Sequence, residues 1–469
     1  MSTKFYTIGG HTISYGGFLL IGDAGALTIT KTVTGSGFDP AKTFELTATF
    51  DKPVTYNGTT STVHTFNLAS GQSVTITNVP DGTAYSVEEA PLSPIDIAAG
   101  YSFEGITGGS GTITGGHAYA VATNGYTSLP AKTIRLLYAD GITPIYHSKG
   151  TRTQVSASPN VWEYHYDGTD WSNFLVGDDE VLQVLGVGNT GDVVDMGGMF
   201  EGCSSLTSVA LFDTSSCTNM HGMFSGCRSL STVPLFDTSA CTSMGDMFHN
   251  CTSLTSVPLF NTSACTDMSA MFYGCSSLTS VPLFDTSACE DMSLMFNGCR
   301  SLTTVPLFDT SACIYMSHMF ADCYDLTSVP LLDTSSCENM DSMFTYCRSL
   351  PTVPLFNTSA CKFMPEMFSG CVSLTSVPLF DTSACKDMSK MFDYCQSLIA
   401  VPLFDTSACE DMSKMFRECT RVGGGALALY QQASAQAVPP ATHDEAFKNC
   451  GSSTTTGAAE LAQIPSGWK

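Results

Sequence analysis

Apolar positions in the second half of this chain recur every twenty-four residues. One unit reads Leu230-x-x-Val233-x-Leu235-x-x-Thr238-x-x-Cys241-x-x-Met244-x-x-Met247-Phe248-x-x-Cys251. A fixed period in this range marks stacked copies of one supersecondary unit, each burying its apolar face against its neighbours. The opening L-x-x-V-x-L-x-x-T predicts a strand and turn with its apolar members pointing inward. The M-x-x-M-F-x-x-C half has apolar members three apart, which predicts a short helical turn or bent strand closing the core. The register is already present, without cysteine, in Leu182-x-x-Leu185-x-Val187-x-x-Thr190-x-x-Val193-x-x-Met196. Ten coils are therefore expected, starting at residues 182, 206, 230 and onward to 398.

The polar positions refine this picture. Eight coils carry proline before the second leucine, from Pro234 to Pro402. Proline cannot donate to a ladder, so strand pairing should be short and end near the preceding valine. Two residues past that leucine stands Asp in seven coils and Asn in two, Asn261 and Asn357. Stacked carboxylates suit a calcium ladder, but exchange for Asn with no other change favours a side chain that caps its own turn. The threonine that follows can form a hydroxyl ladder along the stack. Before the second cysteine, seven of ten coils place Gly, Asn or Asp, residues that accept positive φ, so the chain is expected to turn there.

Nineteen of the twenty cysteines keep this period, at gaps alternating between fourteen and ten residues, and every methionine except Met1 belongs to an M-x-x-M-F pair. Such columns read as core: methionine as filler and cysteine as small buried free thiols. No C-x-x-C pair is present, so zinc is disfavoured.

Residues 27–126 alternate with period two between Gly/Asn/Asp turns, which predicts a β-sandwich. Leu27, Ile29, Lys31 and Val33 share one strand face; Tyr85, Val87 and Glu89 share another; Ala118, Ala120, Ala122 and Asn124 share a third. A lysine on an apolar face is costly unless paired or neutral, and a Lys31–Glu89 ion pair is the plain reading. Residues 127–181 read as a small β-rich connector and N-terminal cap, with Thr133–Tyr138 as a strand and Trp162 and Trp171 as anchors. Residues 182–421 form the repeat solenoid. Residues 422–469 form a helical C-terminal cap, with a helix over Gly425–Gln436, an echo of the corner over Asp444–Gly451, and Thr456–Ile464 closing the end. The fold class expected is mainly β, and residues 1–26 are left as an attachment segment.

Composition excludes some functions. The net charge is −24 with only 13% charged residues, and a nucleic-acid partner would need a basic stripe. No apolar run approaches a membrane span, so no membrane insertion is expected. Phe18-Leu19-Leu20-Ile21 is short for a signal segment, and neither signal nor anchor is read. No catalytic motif appears and the nine His are scattered; no enzyme activity, cofactor or metal is expected.

Two resemblances follow from these motifs. The M-x-x-M-F-x-x-C-x-x-L and F-D-T-S repeat resembles the BspA-type leucine-rich repeats of bacterial surface antigens, over about half the chain. That implies a right-handed solenoid used for adhesion or receptor contact. The runs Leu27-Thr-Ile-Thr-Lys31-Thr-Val, Asn78-Val-Pro-Asp-Gly82-Thr-Ala-Tyr85-Ser-Val-Glu-Glu89 and Thr123-Asn124-Gly-Tyr126 resemble the Cna-B domain of Gram-positive pilins and adhesins. The resemblance implies an autocatalytic isopeptide bond between Lys31 and Asn124, assisted by Glu89. Gly425-Ala-Leu-Ala-Leu-Tyr430 and Thr456-Gly-Ala-Ala-Glu-Leu-Ala-Gln-Ile-Pro465 are also similar to segments of prophage-encoded repeat proteins from gut bacteria.

The repeats supply an internal comparison. Variation gathers between the core positions of C-x-x-M-x-x-M-F-x-x-C-x, where Tyr273, Tyr315, Tyr324, Tyr346, Phe363 and Tyr394 appear. Exposed aromatics are typical anchors for protein or sugar partners; drift at unconstrained positions is the plainer reading. With no signal or anchor read, the first expectation is a virion structural or host-attachment protein of the phage tail or head fibre type, on the particle surface. Its repeats would bind a host-surface protein or glycan, its N-terminus would bind virion proteins, and a homo-oligomer is left open. The alternatives are a BspA-type adhesin on the bacterial cell surface and a purely structural spacer.

Overall fold

The computed structural model describes residues 5–8, 11–14, 24–35, 38–127, 129–145, 147 and 149–469. The chain is mainly β and divides into two compact units, residues 1–130 and 131–469. Among the described residues no helix is long and apolar enough to cross a membrane.

In the first unit, alternation of apolar and polar residues produces β1 (Phe5–Ile8), β2 (His11–Ser14), β3 (Gly25–Thr34), β4 (Thr43–Tyr56), β5 (Thr59–Ala69), β6 (Ser73–Val79), β7 (Thr83–Glu89), β8 (Tyr101–Thr107), β9 (Ser110–Ile113) and β10 (His117–Tyr126). A short helix, α1 (Pro94–Ala99), is capped by the Ser93 side chain at its start and by left-handed Gly100 at its end. β1 and β2 pair as a hairpin, and most of the expected attachment segment 1–26 lies outside the described residues. Two four-stranded sheets, ordered β6–β3–β10–β8 and β5–β4–β7–β9, share one core that includes Leu27, Ile29, Leu46, Phe50, Ile76 and Val87. β10 runs parallel to β3, which sets Asn124 opposite Val33, two residues past Lys31.

The second unit opens with β11 (Thr133–Tyr138), β12 (Thr151–Ala157), β13 (Asn160–His165), β14 (Val181–Val187) and β15 (Ser208–Val209), in the order β12–β13–β11–β14–β15. β14 and β15 are parallel and belong to consecutive repeats. No later repeat forms a strand there, because proline replaces Ala210 from Pro234 onward and removes a donor. The order is carried instead by the methionine corner. Eleven parallel bridges run from Asp170 through Asp195 and Asn219 to Thr442.

That corner is neither a helical turn nor a bent strand. Met247, His249 and Cys251 donate backbone N–H groups to the carbonyls of Met244, Asp246 and Phe248, three residues back. The alternate N–H groups, of Met244, Asp246, Phe248 and Asn250, donate to Asp267, Ser269, Met271 and Tyr273 of the next repeat. Overlapping turns and the next repeat thus satisfy the donors from Asp246 to Cys251. The geometry puts two residues per corner at positive φ, such as Asp246 (54°) and Asn250 (57°). Tyr346, Tyr394 and Glu418 adopt it at the turn position where other coils have Gly, Asn or Asp.

Two register expectations are corrected. Leu235 and its equivalents through Leu403 do not point inward: they are exposed, and the following Phe236 is buried. The Phe236 N–H donates to the Pro234 carbonyl at 3.1 Å, a three-residue turn that swings Leu235 outward. In the first coil Val181 and Val184, rather than Leu182, Leu185 and Val187, are the fully buried residues. β14 aligns Val184 with Val209, twenty-five residues on, and a one-residue slip exchanges the faces of a strand. The bridge ladder also begins before Leu182, at Asp170. Trp171, Phe174 and Leu175 take the places of Met196, Met199 and Phe200, and buried Asp178 takes the place of Cys203.

The core is built in columns. Phe rings stack coil on coil, Phe272, Phe296 and Phe320 at 5.6 and 5.7 Å between centroids. Thr286 Oγ1 donates to the Asp309 carbonyl at 2.7 Å, and the repeat threonines from Thr190 to Thr382 do likewise. Asp237 Oδ1 accepts from the Ser239 amide and hydroxyl, and Asn261 does the same for Ser263, the turn-capping role expected of that column. All twenty cysteines are buried and unpaired. The thiols of the nineteen repeat cysteines donate to carbonyls, Cys251 to Phe224 and Cys241 to Ser243. After the corner at Thr442–Cys450 come no further repeats; α2 (Ala426–Ser434) precedes it and α3 (Thr455–Gln463) follows it. Phe447 stacks on Phe416 at 6.0 Å and donates its N–H to the Trp468 carbonyl.

Candidate functional sites

The period-two faces of the first unit bring three polar side chains into its core. Lys31 comes from β3, Asn124 from the neighbouring β10, and Glu89 from β7 in the facing sheet. Lys31 Nζ donates to Glu89 Oε2 at 2.7 Å, and Asn124 Nδ2 donates to Glu89 Oε1 at 2.7 Å. Lys31 and Asn124 are fully buried, and the Glu89 side chain is 1% exposed. The Phe44 ring lies over the ammonium, 4.4 Å from centroid to Nζ. Burial lowers the Lys31 pKa, opposed by the hydrogen bond and charge of Glu89. Asn124 Oδ1 has no hydrogen-bond partner. All three residues singled out in the sequence therefore meet at one carboxylate. Chemically the site holds an amine biased toward its neutral form and a carboxamide whose nitrogen is engaged while its oxygen is left open.

The outward face of the stack holds the six aromatics. Tyr315 and Phe363 are exposed in the bridge column, two coils apart with Asn339 between them. Tyr346 and Tyr394 are exposed at the positive-φ turn before the second cysteine. Tyr273 is half-buried and stacks on His249 at 4.6 Å. Tyr324 is half-buried between two guanidinium groups, Arg300 at 5.1 Å and Arg348 at 4.5 Å from its centroid. Arg348 also lies 5.8 Å from the Tyr346 ring, so Tyr324 and Tyr346 form one cluster. Tyr394 has its own cation, Arg417, which chelates buried Asp393. The arginines were missed in the sequence although Arg300, Tyr324 and Arg348 occupy one column, which is the signal that identifies them.

A second feature was also missed. Small residues at Gly197, Gly198 and Gly222 leave an open groove on the first corners, edged by Asp195, Glu201, His221, Asp246 and His249. Among the described residues no group of three or more His, Cys, Asp or Glu is placed to hold a metal ion.

A two-unit, mainly β chain whose larger unit is a stack of near-identical turns is a repeat protein in class. The family model described as "Mycoplasma protein of unknown function, DUF285" matches residues 169–280, 255–351 and 327–427. Together these segments span more than half of the chain, which therefore belongs to that family. The matched region begins one residue before the first rung at Asp170. A second model, "Domain of unknown function (DUF7601)", matches residues 25–126.

Among solved structures, the chain is similar in part to the pilus-presented adhesin Spy0125 (Cpa), at 22% identity over 23% of this chain and 28% of that one, with a TM-score of 0.18. It is similar also to the major pilin from Streptococcus pyogenes, at 24% identity over 25% of this chain and 55% of that one, TM-score 0.18. The major pilin protein (T3.2) from Streptococcus pyogenes serotype GAS13637 matches at 18% identity over 25% and 52%, TM-score 0.19. The chain thus spans between about a quarter and about half of these structures' length. No curated protein matches it.

Proposed function

We propose that this chain is a non-enzymatic adhesion protein of a bacterial cell surface, whose repeat solenoid presents side chains to a host-surface protein or glycan. The observation that carries the reading is the partition of variation within the repeats. The inward columns of Met, Phe and Cys are nearly constant, while Tyr315, Tyr346, Phe363 and Tyr394 stand 43–49% exposed on the corner face. Rigid aromatics on a preformed scaffold supply contact area at low entropic cost. In this reading the first repeat corner and the segment containing α2 and α3 cap a ten-coil solenoid, and stop it from stacking end to end. Membership of a family described from Mycoplasma supports a bacterial protein over the virion fibre that headed the sequence expectations. Detecting the chain on intact cells, and not on purified particles, is the result this reading requires.

The first unit is proposed as a covalently locked support. The neutral Lys31 amine attacks Asn124 Cγ, a C–N bond forms, the side-chain nitrogen leaves as ammonia, and Glu89 carries the proton between them. The expected result is an intact mass one ammonia below that of the sequence; full sequence mass removes the bond. For binding, glycan and host-protein arrays probed with the chain and with Tyr346→Ala and Phe363→Ala test the corner face. Signals that survive both substitutions unchanged remove it.

A further inference from the structure

The turn that pushes Leu235 out of the core is repeated, and the result is a stripe. Leu235 and every twenty-fourth residue to Leu403 are leucine, and each is 53–61% exposed. The exposed Asp/Asn and Ser columns are constant because they cap their turn through hydrogen bonds; exposed positions without such a bond vary. The residue after the first cysteine of the coil runs through Thr266, Glu290, Glu338 and Lys362, all exposed. A leucine side chain has no hydrogen bond to hold it, and an exposed position has no packing reason to keep one residue type, yet this one stays apolar through every coil. Eight side chains exposed to this degree present roughly 800 Å² in one continuous band, about what each partner contributes to a standard interface. It also exceeds the apolar patch of a typical monomer, about 300–600 Å².

We propose that the leucine stripe is the dimer interface of this protein, the occupant being the same stripe of a second copy, with the two stacks side by side and parallel. The flanks of the stripe select the parallel arrangement. On one side lies an exposed acidic row, Asp237 to Asp405 with Asn at 261 and 357, and on the other a neutral exposed row of Ser and Thr, Thr232 to Ser376. A two-fold axis along the stack sets each Asp row against the partner's hydroxyl row. A two-fold axis across the stack would set Asp237 against Asp405 and Asp309 against Asp333 of the partner copy, a like-charge cost in four of the eight coils. Rotation about the stack axis also keeps coils in register, so Leu235 meets Leu235 of the second copy.

Light scattering on the full-length chain, across micromolar concentrations, is expected to give a dimer. Leu283→Asp combined with Leu331→Asp, at solvent-facing positions, is expected to give a monomer whose twenty thiols stay protected as in the parent. A parent chain that stays monomeric, or a dimer that survives both substitutions, overturns the proposal. The native thiols are all buried, so a surface thiol can be cross-linked selectively. Leu235→Cys alone is expected to form a disulfide-linked dimer. In the crossed arrangement the two thiols would lie roughly 30 Å apart at about 4.8 Å per coil. Linkage only when Leu235→Cys is mixed with Leu403→Cys would overturn the parallel arrangement.

Discussion

The two units of this chain solve one problem, a buried β core, in opposite ways. The first unit closes its core with pairings between strands far apart in sequence, such as β3 with β10, and concentrates its polar burial in one triad. The second unit spreads its stability over columns in which each coil touches only its neighbours. Failure should differ accordingly: one side chain decides the first unit, whereas damage to the stack stays local and graded. The probes separate the two. All three tryptophans and all twenty cysteines lie in the second unit.

The largest expected effect is therefore in the first unit. Glu89→Ala leaves the Lys31 amine and the Asn124 carboxamide buried without the carboxylate that joins them, which costs about 3–5 kcal/mol, and the variant is expected at its full sequence mass, the proposed bond being unable to form. Unfolding followed by hydrogen exchange should show the loss within residues 24–127 and leave tryptophan fluorescence unchanged. Concerted loss in both units would erase the contrast. The counterpart in the stack is Phe296→Ala, which removes a ring between Phe272 and Phe320 and costs about 3–5 kcal/mol as a cavity. Its effect should be local. Burial pushes the thiols of Cys265 and Cys361 up to about 11, so labelling at neutral pH reports opening. Cys275, Cys299 and Cys323 should become reactive before Cys371 and Cys395. Uniform labelling of all cysteines would mean that the stack opens as one body.

The same contrast explains what could be read in advance. The columns of Met, Phe, Cys, Thr and Asp were legible because each repeat meets a copy of itself, so a residue's partner is known from its own position. Lys31, Glu89 and Asn124 were legible because each is the odd polar residue on an apolar face. The outward turn of Leu235 was not. It depends on one hydrogen bond from Phe236 to Pro234, and the L-x-x-V-x-L pattern places Leu235 in the core while leaving the buried Phe236 unassigned. The slip before Thr190 was hidden because Leu182 and Val181 are equally apolar. The first rung was hidden because Trp171 and Asp178 share no residue type with the Met and Cys whose places they take. The Arg300–Tyr324–Arg348 cluster needed residues of different types to be read down one column.

A smaller effect tests the hydroxyl ladder. Thr286→Val keeps the shape of a buried side chain and deletes the bond to the Asp309 carbonyl. An unsatisfied buried acceptor costs about 1–3 kcal/mol, and the loss should appear as earlier labelling of Cys289 and Cys313 with no change in hydrogen exchange in the first unit.

The smallest effect concerns pH. The carboxyls of Asp237, Asp285, Asp309, Asp333 and Asp381 are held below their ordinary value, first by the hydroxyl of the serine two residues on and then by its amide. A carboxylate whose pKa is lower in the folded state binds fewer protons there than in the unfolded chain. Its contribution is thus present above the unfolded value of about 3.9 and is lost as pH falls through the folded one. These groups face solvent, so each contribution is small and weakened by salt. Tryptophan fluorescence during acid titration should show the second unit losing stability below about pH 4. Asp285→Asn should make that loss shallower while leaving neutral-pH stability nearly unchanged, because Asn261 already holds Ser263 through the same two hydrogen bonds at 3.2 and 2.8 Å. An unaltered acid slope would mean that the row caps its turns by hydrogen-bond geometry alone, with charge playing no part.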